Sequence, residues 1–224
     1  MVKEGDFMVS TRNGTDRAWV RRGFAFTSAA SFIKLQAVKR LLWLGWAVLV
    51  AAVLVVAFGR ARLRREHSQD VHILAAARRY GLEAALIKAI VWRESYFDAR
   101  VRGRAGEVGL MQITELAAEE WAEAERLPNF QHFQLFDPSQ NVRAGSWYFR
   151  KLLGRYLRTD NPFAYALADY NAGRTHVLRW SKGAAATNSA LFLAQIDFPG
   201  TKRYVESVLQ RYNHYRPSFQ AAPE

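Results

Sequence analysis

The stretch from Glu94 to Gln112, ESYFDARVRGRAGEVGLMQ, joins the end of an apolar helical pattern to a segment that cannot be regular helix. Counting back from Glu94, Ile87, Ile90 and Val91 lie at i−7, i−4 and i−3, so a helix through them places the carboxylate on their apolar face. Burial there disfavours the charged form and raises the carboxyl pKa, which is what a general acid needs to hold its proton near neutral pH. A helix-terminal glutamate that curls back to solvent, or pairs with Arg93 or Arg100, has the same position, and position alone leaves both readings open. Beyond it, Gly103, Gly106 and Gly109 punctuate the segment Arg102 to Gln112. Glycines there let the backbone turn with positive φ or come close to a ligand, although a plain connector has the same composition.

Outward from this stretch, residues from 69 onward read as helices with short breaks, with no run of strands and no internal repeat. Val71, Leu74 and Ala75 form one apolar stripe, with Gly81 placed to end its helix in the left-handed conformation. Leu86, Ile87, Ile90 and Val91 form the next. Thr114 and Glu115 are expected to open a helix to about Glu125, Asn141 one to Leu157, Asp160 and Pro162 one that stops at Asn171 to Gly173, and Thr201 one to Tyr212. Asn171-Ala172-Gly173 reads as an ordinary helix end. The stretch Ser181 to Ala194, rich in Ala, Ser and Asn, is expected to be a loop flanking a cleft. The domain is all-α.

Between Arg40 and Arg60 stand 19 residues without a charge, Leu41 to Gly59. As a helix they span about 28 Å, close to the hydrocarbon thickness of a bilayer. Trp43 and Trp46 sit near one end, where indoles favour the interface. The run is long, begins about 40 residues in and lacks a small-residue cleavage site, so an uncleaved signal anchor fits better than a signal peptide. Five Lys/Arg in residues 21–40 and six in residues 60–79 leave its orientation undecided.

The net charge of +12 belongs mostly to the N-terminal third: residues 1–66 carry 12 Lys+Arg against 4 Asp+Glu. The remainder shows no compact basic face with interleaved aromatics, so no nucleic-acid partner is expected. The chain has no cysteine, which excludes disulfides, thiolate metal sites and cysteine nucleophiles. His67, His72, His132, His176 and His214 show no ligand spacing, so no metal and no cofactor are expected.

Five motifs follow one another in order: Glu94-Ser95 at a helix end; Gly109-Leu110-Met111-Gln112; Asn141 with Gly145 and Tyr148; Ala168-Asp169-Tyr170-Asn171-Ala172-Gly173; and Thr201-Lys202-Arg203-Tyr204-Val205. Together they resemble the soluble-lytic-transglycosylase (SLT) catalytic domain of glycoside hydrolase family 23, whose fold is like goose-type lysozyme, over about residues 70–212. The resemblance implies a lysozyme-like helical domain preceded by one transmembrane helix. It implies Glu94 as the catalytic acid/base, Ser95 as a neighbour that orients substrate, Gly109, Met111 and Gln112 at the cleft floor, Tyr170, Asn171 and Ala172 at the sugar, and Tyr204 bonded to Glu94 or capping the site. The sequence departs from the family where Pro199-Gly200-Thr201-Lys202 replaces the usual Glu-Thr-Arg before the last tyrosine, removing a supporting carboxylate. Asp169 is also unusual there and is expected to face water.

Glycosidases usually use two carboxylates. No second acid stands in a matched motif, and Asp98, Glu107 and Asp169 read as solvated. The resemblance implies a reaction that needs only one: cleavage of the β-1,4 bond between N-acetylmuramic acid and N-acetylglucosamine in peptidoglycan strands, with a 1,6-anhydro product. The expected organisation is a flexible tail over 1–40, a membrane anchor over 41–59, a basic linker over 60–69, the catalytic domain over 70–215 and a C-terminal tail over 216–224. Substrate logic places that domain outside the cytoplasmic membrane, in the periplasm. A hydrolytic goose-type muramidase and an inactive wall-binding module remain alternatives, and protein partners stay open.

Overall fold

The computed structural model describes residues 29–220. Residues 1–28 of the expected tail, and residues 221–224, lie outside the described residues. The chain divides into two units, residues 1–57 and 58–224.

α1 (Ala29–His67) carries the uncharged stretch as continuous helix, and its residues up to 57 lie in the first unit. It begins well before residue 41, so residues 29–40 are helical rather than tail. The helix is long and apolar enough to cross a membrane, by length and composition. Its apolar side chains, Trp43 at 76% and Val55 at 71% among them, lie exposed. A helix apolar all round, with none of the described residues packed on that window, has the composition suited to lipid.

In the second unit α1 continues to His67, so the expected basic linker is helical to that point. There follow α2 (Asp70–Tyr80), α3 (Ala84–Ser95), α4 (Glu115–Ala124), a 3-10 turn (His132–Phe136), α5 (Pro138–Leu153), α6 (Pro162–Ala172), α7 (Arg174–Trp180), a second 3-10 turn (Gly183–Ala186), α8 (Ser189–Gln195) and α9 (Pro199–Gln220). Among the described residues there is no strand, only isolated bridges pairing Arg102 with Val108 and Val108 with Ile113. The all-α expectation holds.

α3 lies at the centre. Ala85 through Val91 are all buried, and its main partner is α9, which also packs on α6. α6 buries Ala164 to Asp169, and α5 packs between α2 and α6. α2 ends as anticipated, with Gly81 at φ 63° donating to Ala77 O. Its buried residues, however, are Ile73, Ala76 and Ala77, whereas Val71 is 76% exposed. The Val71 stripe is not the buried face, because alanines dominate the segment and small side chains mark a face weakly.

Thr114 caps α4 as expected, its side chain accepting from Ala117 N. Several other helix ends differ from expectation. α5 opens at Asp137, whose side chain accepts from Gln140 N, with Pro138 in the first turn. Asn141 therefore sits inside the first turn and is free to point inward. Asp160 does not cap α6; its Oδ1 accepts from Ser189 N at the start of α8. α9 opens at Pro199 rather than Thr201 and runs to Gln220, so residues 216–220 are helix rather than tail. The stretch from Ser181 to Ala194 is no open loop: it holds the second 3-10 turn and most of α8, pinned by buried Ala185 and Phe192.

Candidate active site

Glu94 occupies the last turn of α3. Tyr204, in α9, is 2% exposed and donates its hydroxyl to Glu94 Oε1 at 2.5 Å. Glu94 as a residue is only half-buried, but its carboxyl is the desolvated part. That burial is the largest influence and pushes the carboxyl up to about 7; the Tyr204 hydrogen bond and the Arg93 charge pull it down, and the Glu107 charge pushes it up. Burial also holds the Tyr170 and Tyr204 phenols well above their ordinary value, and the Glu94 charge adds to it in both. The three groups therefore lie within electrostatic reach of one another, and both tyrosines stay protonated donors.

The glycine-rich segment forms a tight fold beside them. Gly109 sits at φ 77°, and a Cβ there would fall 2.5 Å from Leu135 O, so only glycine fits. Asn141 holds the fold from beneath: it accepts from Met111 N at 2.7 Å and donates to Val108 O at 2.8 Å and Leu135 O at 2.9 Å. Gly145, one turn along α5, lets Met111 close in; a Cβ there would lie 2.7 Å from Met111 Cβ. Tyr170 donates to Met111 O at 2.7 Å, tying α6 to the same loop. Gln112, at φ 48°, donates its amide to Gly109 O at 2.8 Å and Val101 O at 3.1 Å.

Of the residues expected at the cleft floor, Met111 is 0% exposed and Gly109 is buried, so neither presents surface in this structure. Asn171 is exposed and Ala172 half-buried beside Tyr170. Ser95 is 7% exposed, and its hydroxyl donates back to Val91 O at 3.1 Å.

Contrary to expectation, Asp169 does not face water. It is 4% exposed, accepting from Arg155 Nη1 at 2.8 Å and the Tyr156 hydroxyl at 2.6 Å. It lies on the inner face of α6, and its charge pushes the Tyr156 phenol up after burial. Asp98 pairs with Arg65 at 2.9 Å, and half-buried Glu107 accepts from Ala105 N at 3.0 Å. Gly200 is exposed in the first turn of α9, and a Cβ added there would meet nothing within 4 Å, so no carboxylate comes from that place. The structural roles of Asn141 and Gly145 are not apparent from the motifs alone. Their spacing of four on one helix face, polar then glycine, is the signal that marks a helix carrying a loop.

The fold is an all-α domain that holds one elevated carboxyl against the buried Tyr204 hydroxyl, with Tyr170 within electrostatic reach and a glycine-built loop beside it. Residues 72–193 match the Transglycosylase SLT domain family, and the chain belongs to that family. It is 37% identical over 105 residues to membrane-bound lytic murein transglycosylase F of Desulfosudis oleivorans, covering 46% of this chain and 21% of that protein. It is 34% identical over 128 residues to membrane-bound lytic murein transglycosylase C of Pectobacterium atrosepticum, covering 52% and 34%. The fold is similar to that of an inactive mutant of lytic transglycosylase Slt from Pseudomonas aeruginosa, with a TM-score of 0.62 and 27% identity over 68% of this chain and 24% of that one. The chain thus spans about a third or less of the length of these relatives.

Proposed function

We propose that the chain is a membrane-anchored peptidoglycan lytic transglycosylase with Glu94 as its single acid/base. The observation that carries this reading is the carboxyl pushed up to about 7 while hydrogen-bonded to Tyr204, a poise from which it can give and regain a proton near neutral pH. Glu94 delivers its proton to the glycosidic oxygen between N-acetylmuramic acid and N-acetylglucosamine as the C1–O4 bond breaks, with the muramic acetamido group supporting C1. The ionised Glu94, held by the Tyr204 hydroxyl, then takes the proton of the same sugar's C6 hydroxyl as O6 bonds to C1. The product carries a 1,6-anhydro ring, and the carboxyl returns to its starting state. In this reading Tyr170 and Asn171 stand beside the sugar, with Ser95, Gln112 and Ala172 around them.

Residues 41–59 serve as the anchor in the cytoplasmic membrane, with residues 1–40 inside and the catalytic domain in the periplasm. The names of the membrane-bound relatives and the apolar α1 support anchoring. Two of the arginines after Gly59 that weigh against this orientation are engaged by the domain itself: Arg62 lies over the Tyr96 ring, and Arg65 pairs with Asp98.

The test is mass spectrometry of muropeptides released from purified sacculi by the full chain and by Glu94→Gln. Anhydro ends, one water lighter than reducing ends and absent with the mutant, are expected; reducing ends at undiminished activity would establish a hydrolytic muramidase instead.

A further inference from the structure

Directly after Glu94 and Ser95 come two consecutive non-glycine residues in the left-handed region, Tyr96 at φ 53° and Phe97 at φ 63°. Each such residue costs on the order of 1–2 kcal/mol and persists only where its surroundings hold it. Its restraints converge on this turn from two neighbouring segments. Arg62 lies 5.6 Å over the Tyr96 ring. Arg65 reaches Asp98 at 2.9 Å. Phe97 is 4% exposed and lies against the Lys88 ammonium, 6.0 Å from the ring centroid.

Lys88 itself is a lysine in the middle of α3 with 1% exposure. Its ammonium donates to Asp70 Oδ1 at 2.6 Å and is surrounded by the rings of Phe97, Tyr215 and Phe219. His67 Nδ1 stands 2.7 Å from Asp70 Oδ2. The same nitrogen lies 3.3 Å from the Lys88 ammonium, so His67, Asp70 and Lys88 form one cluster. Glu66 accepts from the Tyr215 hydroxyl at 2.6 Å, which brings in α9, the helix that carries Tyr204. The segment from Arg62 to Asp70 therefore touches the helix that bears Glu94, the turn that follows Glu94 and the helix that supplies its hydrogen-bond donor. It precedes residue 72, where the match to the family begins.

We propose that Arg62–Asp70 is a positioning element of the active site, a clamp that holds the turn after Glu94 through Arg62–Tyr96, Arg65–Asp98 and Asp70–Lys88. Arg65 and Asp98 are its positioning residues most open to test, because their side chains are 45% and 43% exposed and their replacement leaves the core intact. An exposed ion pair adds little to stability, so a purely structural role predicts almost no effect of breaking it. The clamp predicts an effect on chemistry.

The inference rests on Glu94 being the acid/base. The test uses the full chain in detergent micelles acting on purified peptidoglycan, comparing wild type, Arg65→Glu, Asp98→Arg and the doubly exchanged protein. Rates are taken per folded protein, with thermal midpoints recorded alongside. Each single exchange is expected to lower the rate about tenfold, the scale set by small misplacements of a reacting group. Each is also expected to move the upper limb of the pH–rate profile to lower pH, because a loosened turn admits water to the Glu94 carboxyl. The double exchange restores both. Tyr96→Gly, which removes the left-handed penalty and the ring under Arg62, is expected to hold or raise the thermal midpoint while lowering the rate. Unchanged rates and profiles in all three single variants, or a loss that disappears once rates are scaled to folded protein, overturn the clamp. Wild type that releases no anhydro products fails the reading of the site instead.

Discussion

The Tyr204 hydroxyl donates a 2.5 Å hydrogen bond to Glu94 Oε1 across 110 residues of sequence, and the two residues come from the pair of helices that pack most extensively, α3 and α9. The bond opposes burial: desolvation favours the neutral carboxyl, and the phenol favours the ionised one. The balance leaves Glu94 near 7, where one group can act as acid and then as base.

Removing the donor upsets that balance in a known direction. Tyr204→Phe leaves burial in place and deletes the interaction that lowers the carboxyl pKa. A hydrogen bond to a charged group contributes about 1.5–3 kcal/mol, so the ionisation is expected to rise by about one unit or more. The upper limb of the pH–rate profile moves up, and the rate at neutral pH falls because the carboxyl, holding its proton more tightly, is a weaker acid in the first step. A profile that keeps its midpoint, measured by muropeptide release from about pH 5 to about pH 9, a window that brackets this ionisation, counts against Tyr204 as the controlling donor.

The same poise has a stability consequence. The Glu94 carboxyl titrates near 7 in the fold against an ordinary value of 4.5, so between those values the folded state binds the extra proton. Stability from this group is fully present below about 4.5 and is lost as pH rises through 7. Glu94→Gln, which mimics the protonated form at all pH values, is expected to match wild type near about pH 4 and exceed it near about pH 8 by up to about 3 kcal/mol. Thermal midpoints of the two proteins across this range check it: parallel curves would mean the carboxyl is not desolvated in the folded protein.

What is legible in the sequence follows from how local each signal is. Gly81, Thr114 and Pro162 act on backbone within a turn of themselves, and the helix ends they mark are where the structure has them. Glu94 on an apolar face can be counted because Ile87, Ile90 and Val91 are large. The alanine-rich α2 offers no such contrast, and its pattern points to the wrong face. Lys88 is unreadable for another reason: a lysine within an apolar stripe looks like a solvated interruption, and only Asp70 and three rings from distant segments make its burial tolerable. Asp169 misleads in the same way, since its partners Arg155 and Tyr156 lie on the loop after α5.

Asp169 gives a prediction about structure apart from chemistry. It is 4% exposed and paired with Arg155, so Asp169→Ala leaves the guanidinium and the Tyr156 hydroxyl without their acceptor. Breaking a buried pair from one side costs about 3–5 kcal/mol, discounted toward the lower figure because Arg155 is 29% exposed. A large fall in thermal midpoint with the product spectrum unchanged is expected; a stable variant would show that the pair contributes little to the fold.

Gly145 tests whether the loop beneath Tyr170 must sit where it does. A Cβ at this position would lie 2.7 Å from Met111 Cβ, and Met111 has no room to retreat at 0% exposure. Gly145→Ala therefore displaces Met111, whose carbonyl receives the Tyr170 hydroxyl and whose amide is held by Asn141. Overpacking of this kind typically costs about 1–3 kcal/mol, read as a lowered denaturation midpoint. An alanine variant as stable and as active as wild type would show that the loop can shift freely.

The smallest charge change in the site separates the one-acid mechanism from the two-acid one. Glu107 is a carboxylate whose charge raises the proton affinity of Glu94, and its own Oε2 accepts from Ala105 N at 3.0 Å within the glycine-rich loop. In a muramidase that activates water it would be the base, and Glu107→Gln would abolish turnover. In the transglycosylase reaction Glu94 performs both proton transfers and Glu107 acts only through its field. Glu107→Gln is then expected to keep the rate within about an order of magnitude, the usual lower range for loss of a positioned proton-transfer group being about 100-fold. It should retain anhydro products and shift the Glu94 ionisation down, since a like charge has been removed. Loss of all activity in a folded Glu107→Gln protein would return the second carboxylate to the mechanism and water to the product.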